Sequence, residues 1–163
     1  MTVQGSVPQR QTAETVYTIG EAADLLGVSV PTIRLYEREG IFISRRRDSR
    51  HRRYTLADIE RLRCIRNMIR NEKVSIAGIR RLLAMIPCWK IKGCPDDVRD
   101  ACPAFAEHTS PCWTIAERPW ECRDADCRSC AVYARVADCQ TLKRTIAGFT
   151  TAPGSHGQAP EAA

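Results

Sequence analysis

The sequence predicts a mainly α-helical protein in two parts, a basic N-terminal domain and a small cysteine-rich module with short helices. Apolar residues recur at helical spacing as far as about residue 86. Beyond Pro87 the apolar bulk falls away, and eight of the nine cysteines lie there. The net charge is +6, and the stretch from Arg34 to Arg81 holds 15 Arg or Lys against 6 Asp or Glu. Such a basic stretch favours a polyanionic partner.

Capping residues predict the first two helices. Thr18 and Glu21 form a capping box, and Gly27 ends the helix that follows. Ser29 is suited to cap a second helix, so the two short helices joined by "GVS" indicate a helix-turn-helix. The outward-facing residues of the second helix are Thr32, Arg34 and Arg38.

An arginine-rich segment and two further helices complete the first part. The segment "RRRDSRHRR", from Arg45 to Arg53, is too short and too charged to bury a core, and it indicates a β-hairpin wing that ends at Tyr54. Thr55 and Asp58 begin a third helix, and "SIAGIRRLL" supplies a fourth, with Leu82 and Ile86 on its inner face. Cys64 is expected to be a small buried thiol. On the third helix we expect some of the arginines to be solvated positions of its outer face: Arg61, Arg63, Arg66 and Arg70.

These residues resemble the winged helix-turn-helix domain of the MerR family of bacterial regulators. The resemblance covers "YTIGEAADLLGVSVPTIRLYEREGIF", a wing closing on "RRY", "TLADIERLRCIRNMI" and "SIAGIRRLL", about residues 16 to 86. It implies a homodimer that binds double-stranded DNA at a promoter or operator, with the second helix in the major groove, and contact with RNA polymerase. The sequence departs from the family at Leu35, often aromatic, and at Arg50 and His51, often Gly and Tyr.

The predicted DNA-binding residues lie in the helix-turn-helix and the wing. Contacts to phosphate set affinity and register, whereas contacts to base edges read the sequence. The residues are Thr18, Thr32, Arg34, Tyr36, Arg38, Arg45, Arg46, Arg50, His51, Arg52, Arg53 and Tyr54.

The cysteine-rich half contains an internal repeat. "PCW" at 87–89 recurs at 111–113, and "CPAF" from Cys102 parallels "CAVY" from Cys130. The second and third cysteines of each copy have the same spacing, so the units Cys88/Cys94/Cys102 and Cys112/Cys122/Cys130 are predicted to pair. The segment "PDDVRDA" predicts a short helix between two of these cysteines.

This half resembles the cysteine-tryptophan (CW) repeat modules of some bacterial sensory proteins. Its matching residues include Cys88-Trp89, "CPAF", Cys112-Trp113 and "CRSCAVY". Zinc, an iron–sulfur cluster and a thiol redox switch all remain open, whereas permanent disulfides are disfavoured in a reducing cytoplasm. We expect three tryptophan side chains to cover the site: Trp89, Trp113 and Trp120. The predicted metal ligands are Cys88, Cys94, Cys102, Cys112, Cys122, Cys127 and Cys130.

The predicted organisation runs from a disordered arm (1–15) through the DNA-binding domain (16–86), the cysteine module (87–133) and a short C-terminal helix (134–148) to a disordered tail (149–163). Heptad spacing from Val132 to Ile146 predicts a short coiled coil that contributes to a dimer. The sequence lacks a signal-peptide core and an apolar run of membrane length, so we expect a cytoplasmic protein without a membrane partner.

Together these features predict a DNA-binding transcriptional regulator, not an enzyme, with a metal- or redox-responsive module. One alternative is an architectural or recombination accessory protein in which zinc only holds the module together. A second alternative is a thiol oxidoreductase that uses Cys127 and Cys130.

Overall fold

A computed structural model describes residues 15–46, 52–123, 125–136, 144 and 147–148. The predicted arm and tail, and most of the predicted C-terminal helix, lie outside these residues. Within the described part, no helix is both long and apolar enough to cross a membrane.

The chain begins with a short strand and the predicted helix-turn-helix. Strand β1 (Val16–Tyr17) leads into α1 (Ile19–Leu26), and α2 (Val30–Arg38) follows. The Thr18 hydroxyl accepts a hydrogen bond from the Glu21 amide, and the Glu21 carboxylate accepts one from the Thr18 amide at 2.6 Å, which confirms the capping box. Gly27 ends α1 at φ 59°, a left-handed conformation that favours glycine.

The wing is confirmed as a β-hairpin. Strands β2 (Arg45–Arg46) and β3 (Arg52–Thr55) pair antiparallel, with Arg45 opposite Arg53. On its other edge β3 pairs with β1, which places Tyr17 opposite Tyr54. Strand β1 was not predicted, because two residues carry no periodic signal.

Two further helices close the domain. Helix α3 (Leu56–Arg70) starts from a second capping box, in which the Asp58 carboxylate accepts the Thr55 amide hydrogen at 2.8 Å. Helix α4 (Ile76–Ala84) is shorter than predicted. Ile86, which was predicted to lie on it, comes after its end and is nevertheless buried. Leu82 was predicted to face inward, but it is 36% exposed.

The module consists of short helices, as predicted. They are α5 (Cys88–Lys92), α6 (Asp96–Asp100), α7 (Pro103–Ala106), a 3-10 helix (Cys112–Thr114), α8 (Trp120–Arg123) and α9 (Ala131–Ala134). Helix α6 is the helix predicted from "PDDVRDA". Helix α5 from the first copy packs against α9 from the second.

One hydrophobic core spans both parts. Ile33, Ile59 and Leu62 from the N-terminal domain are buried, and Val132 from the module and Val136 just beyond it belong to the same cluster. Burying an aliphatic side chain contributes about 1.5 to 3 kcal/mol. The module is therefore held against the DNA-binding domain by shared packing.

Candidate DNA-binding surface and cysteine-lined cavity

Helix α2 presents two arginines to solvent. Arg34 and Arg38 are exposed, whereas Ile33 on the opposite face is fully buried. Thr32 is half-buried, and its hydroxyl lies 2.8 Å from the Ser29 hydroxyl. Arg34 and Arg38 therefore carry the positive charge of this face.

Tyr36, predicted to contact DNA, is only 5% exposed and belongs to the core. Its ring position is set by packing at the end of α2, so we remove it from the DNA-contacting set. Its part is to hold the helix in place.

Glu37 ties the wing to α2. Its carboxylate accepts a hydrogen bond from the Tyr54 hydroxyl at 2.8 Å and pairs with the Arg52 guanidinium at 2.8 Å. Burial, reinforced by the Glu37 carboxylate, raises the pKa of Tyr54 far above its ordinary value. Tyr54 is fully buried, with its ring stacked on Phe42 at 6.0 Å, so the prediction that it contacts DNA is replaced by a structural role.

The remaining predicted DNA-binding residues lie around the wing and at the first helix. Arg45 is exposed on β2, and Arg53 is half-buried opposite it. Thr18 is exposed but serves as the N-cap of α1. Arg46 lies on β2, whereas Arg50 and His51 fall outside the described residues.

An open cleft of about 520 Å³ separates α2, the wing and the module. Arg34 and Arg38 line it from α2, and Arg52 lines it from the wing. Trp113 and Cys127 line it from the module. The cleft therefore places residues of the cysteine-rich half beside the basic residues of α2.

The module contacts the link between α2 and β2 through three hydrogen-bonding side chains. The Tyr133 hydroxyl accepts from the Ile43 amide at 2.7 Å, and the Arg128 guanidinium donates to the Ile43 carbonyl at 2.8 Å. The Trp113 indole donates to the Gly40 carbonyl at 2.7 Å. The backbone that leads into the wing is therefore fixed by the module.

A charged layer joins the module to α3. Arg128 pairs with the Asp58 carboxylate at 2.5 Å, and the two side chains are 18% and 5% exposed. Arg61, expected among the solvated arginines, is 4% exposed, and its guanidinium carbon lies 3.6 Å from the Tyr133 ring centroid. Burial lowers the pKa of Arg61 to about 10. Its helical spacing from Asp58 and Ile65, both buried, was the available signal for this position.

The module encloses a cavity of about 50 Å³ lined by cysteines. Trp89 and Trp113 contribute to its wall as predicted, and Lys92, Arg99 and Arg118 supply positive charge. The Arg118 guanidinium also donates a hydrogen bond to the Cys127 sulfur. Seven of the described cysteines line this cavity: Cys88, Cys94, Cys102, Cys112, Cys122, Cys127 and Cys130.

The two copies of the repeat form matching aromatic pairs. Trp89 meets Phe105 at 4.9 Å and 88° in the first copy, and Trp113 meets Tyr133 at 5.2 Å and 87° in the second. Each pair joins the Trp of the "PCW" motif to the aromatic residue that ends "CPAF" or "CAVY". The two copies of the sequence repeat therefore share this edge-to-face aromatic contact.

Equivalent cysteines of the two copies meet at the cavity. A hydrogen bond between Cys88 and Cys112 lowers the pKa of Cys88 to about 7, and the same contact with burial raises that of Cys112. Cys64 is not the free thiol that was predicted, because it is disulfide-bonded.

The fold and the basic face of α2 define a DNA-binding domain of the winged helix-turn-helix class. Residues 17–86 match the family described as MerR HTH family regulatory protein. A putative heat shock protein HspR of Streptomyces coelicolor is 38% identical over 79 residues, which covers 48% of this chain and 52% of the relative. The chain thus spans about half the length of this curated relative. No solved structure matches the chain.

Proposed function

We propose that this protein is a DNA-binding transcriptional regulator of the MerR type, whose cysteine module adjusts DNA binding. The observation that carries the proposal is the cleft in which Arg34 and Arg38 of the MerR-type domain lie beside Trp113 of the module. Arginine is the residue most often used to contact phosphate and the edges of guanine.

The module contacts the link between α2 and β2 through three side chains, and each of them lies close in sequence to a cavity cysteine. Trp113 follows Cys112 in the sequence, and Arg128 follows Cys127. Tyr133 lies three residues after Cys130. A change in what the thiols bind would therefore move side chains that hold Gly40 and Ile43, at the start of the wing.

Zinc, an iron–sulfur cluster or a thiol switch would each change the bonding of these cysteines.

We retain as predictions the homodimer, the contact with RNA polymerase and the cytoplasmic location. The match is to a regulatory domain, which favours a regulator over the oxidoreductase alternative.

DNA binding is tested by fluorescence anisotropy with duplexes selected from a random library by the full chain. Arg34→Ala with Arg38→Ala should weaken binding at least about tenfold, because each base or phosphate interaction contributes about 1 kcal/mol or more. Arg63→Ala is the matched control, since Arg63 is exposed on α3 and pairs with Glu60. Its affinity should stay within about twofold of wild type.

Failure of the full chain to select any sequence, or equal losses in the double variant and the control, would contradict the proposal. Regulation is tested by comparing the anisotropy titration before and after chelator and oxidant treatment. An identical affinity in all states would favour the architectural alternative, in which the module is only a structural support.

A further inference from the structure

The cavity of the module brings both copies of the repeat to one site. Seven of the described cysteines line it. Cys88 and Cys112, which occupy the same place in the two copies, are in hydrogen-bonding contact. The thiols that interact electrostatically with at least one other are Cys88, Cys94, Cys112, Cys122, Cys127 and Cys130. The site therefore belongs to both copies together.

These thiols do not converge on a single point. In a zinc site each sulfur lies about 2.3 Å from the ion, so four sulfurs in a tetrahedron are about 3.8 Å apart. Within the described part of the chain, no three His, Cys, Asp or Glu side chains are grouped so that they could hold one metal ion. An iron–sulfur core suits more widely spaced thiols, because its cysteine ligands are divided among two or four irons.

The volume and the charge of the cavity also fit an iron–sulfur core. A cavity needs about 10 to 15 Å³ to admit one water molecule. The volume of about 50 Å³ is therefore room for several atoms. Lys92, Arg99 and Arg118 line the cavity, and their positive charge would compensate the negative charge of a cluster bound by thiolates.

From this geometry we propose that the cavity binds an iron–sulfur cluster whose cysteine ligands come from both copies of the repeat. This names the ligand of the module in the proposed regulator. It leaves DNA binding by α2 and the wing as a separate question.

The test is the metal content of the full chain purified without oxygen. We expect iron and acid-labile sulfide in equal amounts, a brown solution and little zinc. Zinc bound without sulfide would overturn the proposal. So would a chain that remains free of iron and sulfide after it is offered both under reducing conditions.

Three single variants locate the cluster. Cys88→Ser and Cys112→Ser should each lose the iron and the sulfide, since the two residues meet where the copies join. Ser129→Ala is the matched control, because Ser129 is exposed between two cavity cysteines and does not line the cavity, and it should retain both. Half of the wild-type iron in each of the first two variants would overturn a shared site and indicate one site in each copy.

Far-UV circular dichroism and DNA anisotropy on the same preparations separate the possible failures. A variant that keeps its helical signal but loses iron shows ligation and not unfolding as the cause. If the wild type binds DNA but holds no iron, the cluster is refuted while the proposed function stands. If it holds iron but selects no DNA, the regulator is refuted and the cluster stands.

Discussion

The ion pair between Asp58 and Arg128 offers a direct measurement of how firmly the module is attached to the DNA-binding domain. It joins α3 to the segment between α8 and α9 at 2.5 Å, with side chains 5% and 18% exposed. Removing one partner of a buried pair costs about 3 to 5 kcal/mol, because the other charge is left without compensation. The residual exposure of Arg128 places the expected cost near the lower end of that range.

Both residues have a second partner, so single variants alone would mislead. Asp58 caps α3 through Thr55, and Arg128 also donates to the Ile43 carbonyl at 2.8 Å. A double-mutant cycle with Asp58→Asn and Arg128→Gln removes these separate contributions. We expect each single variant to lose about 3 kcal/mol of unfolding free energy and the pair to show a coupling energy of about 2 kcal/mol.

The assay is urea unfolding at neutral pH, monitored by far-UV circular dichroism. The slope of unfolding free energy against urea concentration should be the same for all four proteins. Glu60 and Arg63 provide the matched control, because they form an exposed pair on the same helix, with side chains 54% and 51% exposed. Their cycle with Glu60→Gln and Arg63→Gln should give at most about 0.5 kcal/mol. An Asp58–Arg128 coupling as small as that of the control would refute the docking of the module through this pair.

Two further predictions concern the wing and its link. Arg45→Ala with Arg53→Ala should weaken binding to all DNA sequences and reduce the slope of log affinity against log salt by up to about 1.8, since each phosphate contact contributes about 0.9; an unchanged slope in an anisotropy titration would exclude these arginines from the interface. Gly40→Ala should lower unfolding free energy by about 2 kcal/mol, because Gly40 has φ 70° and an added Cβ would overlap the Thr114 methyl. Thr114→Ser, which keeps the hydroxyl that donates to the Pro111 carbonyl at 2.8 Å, should restore part of that loss, and no restoration would contradict the predicted overlap.

The N-terminal domain was predictable because its signals are local. Thr18 with Glu21, and Thr55 with Asp58, form capping boxes that can be recognised from spacing alone. The periodic apolar residues then predict which face of each helix is buried. The wing could be predicted from its arginine content and from its position between helices.

The burial of Tyr36, Tyr54 and Arg61 was not predicted, because it depends on partners distant in sequence. Tyr54 is buried by its stacking on Phe42 and its bond to Glu37. Arg61 is buried under Tyr133, 72 residues further along the chain. The helical spacing of Arg61 from Asp58 and Ile65 indicates a position on the inner face of α3, but that spacing does not identify the distant residue that covers it.

The position of Arg61 suggests why the module and the DNA-binding domain share one core. A buried guanidinium is costly unless it finds partners, and Arg61 finds the Tyr133 ring and the Tyr133 carbonyl, which accepts a hydrogen bond at 3.0 Å. Both partners belong to the second copy of the repeat, three residues after Cys130. If the thiols changed their bonding and Tyr133 moved, Arg61 would be deprived of these partners and Ile43 of its hydroxyl partner together. In the proposed regulator, the cost of that joint change would couple the cysteine cavity to the wing without any further residue between the two sites.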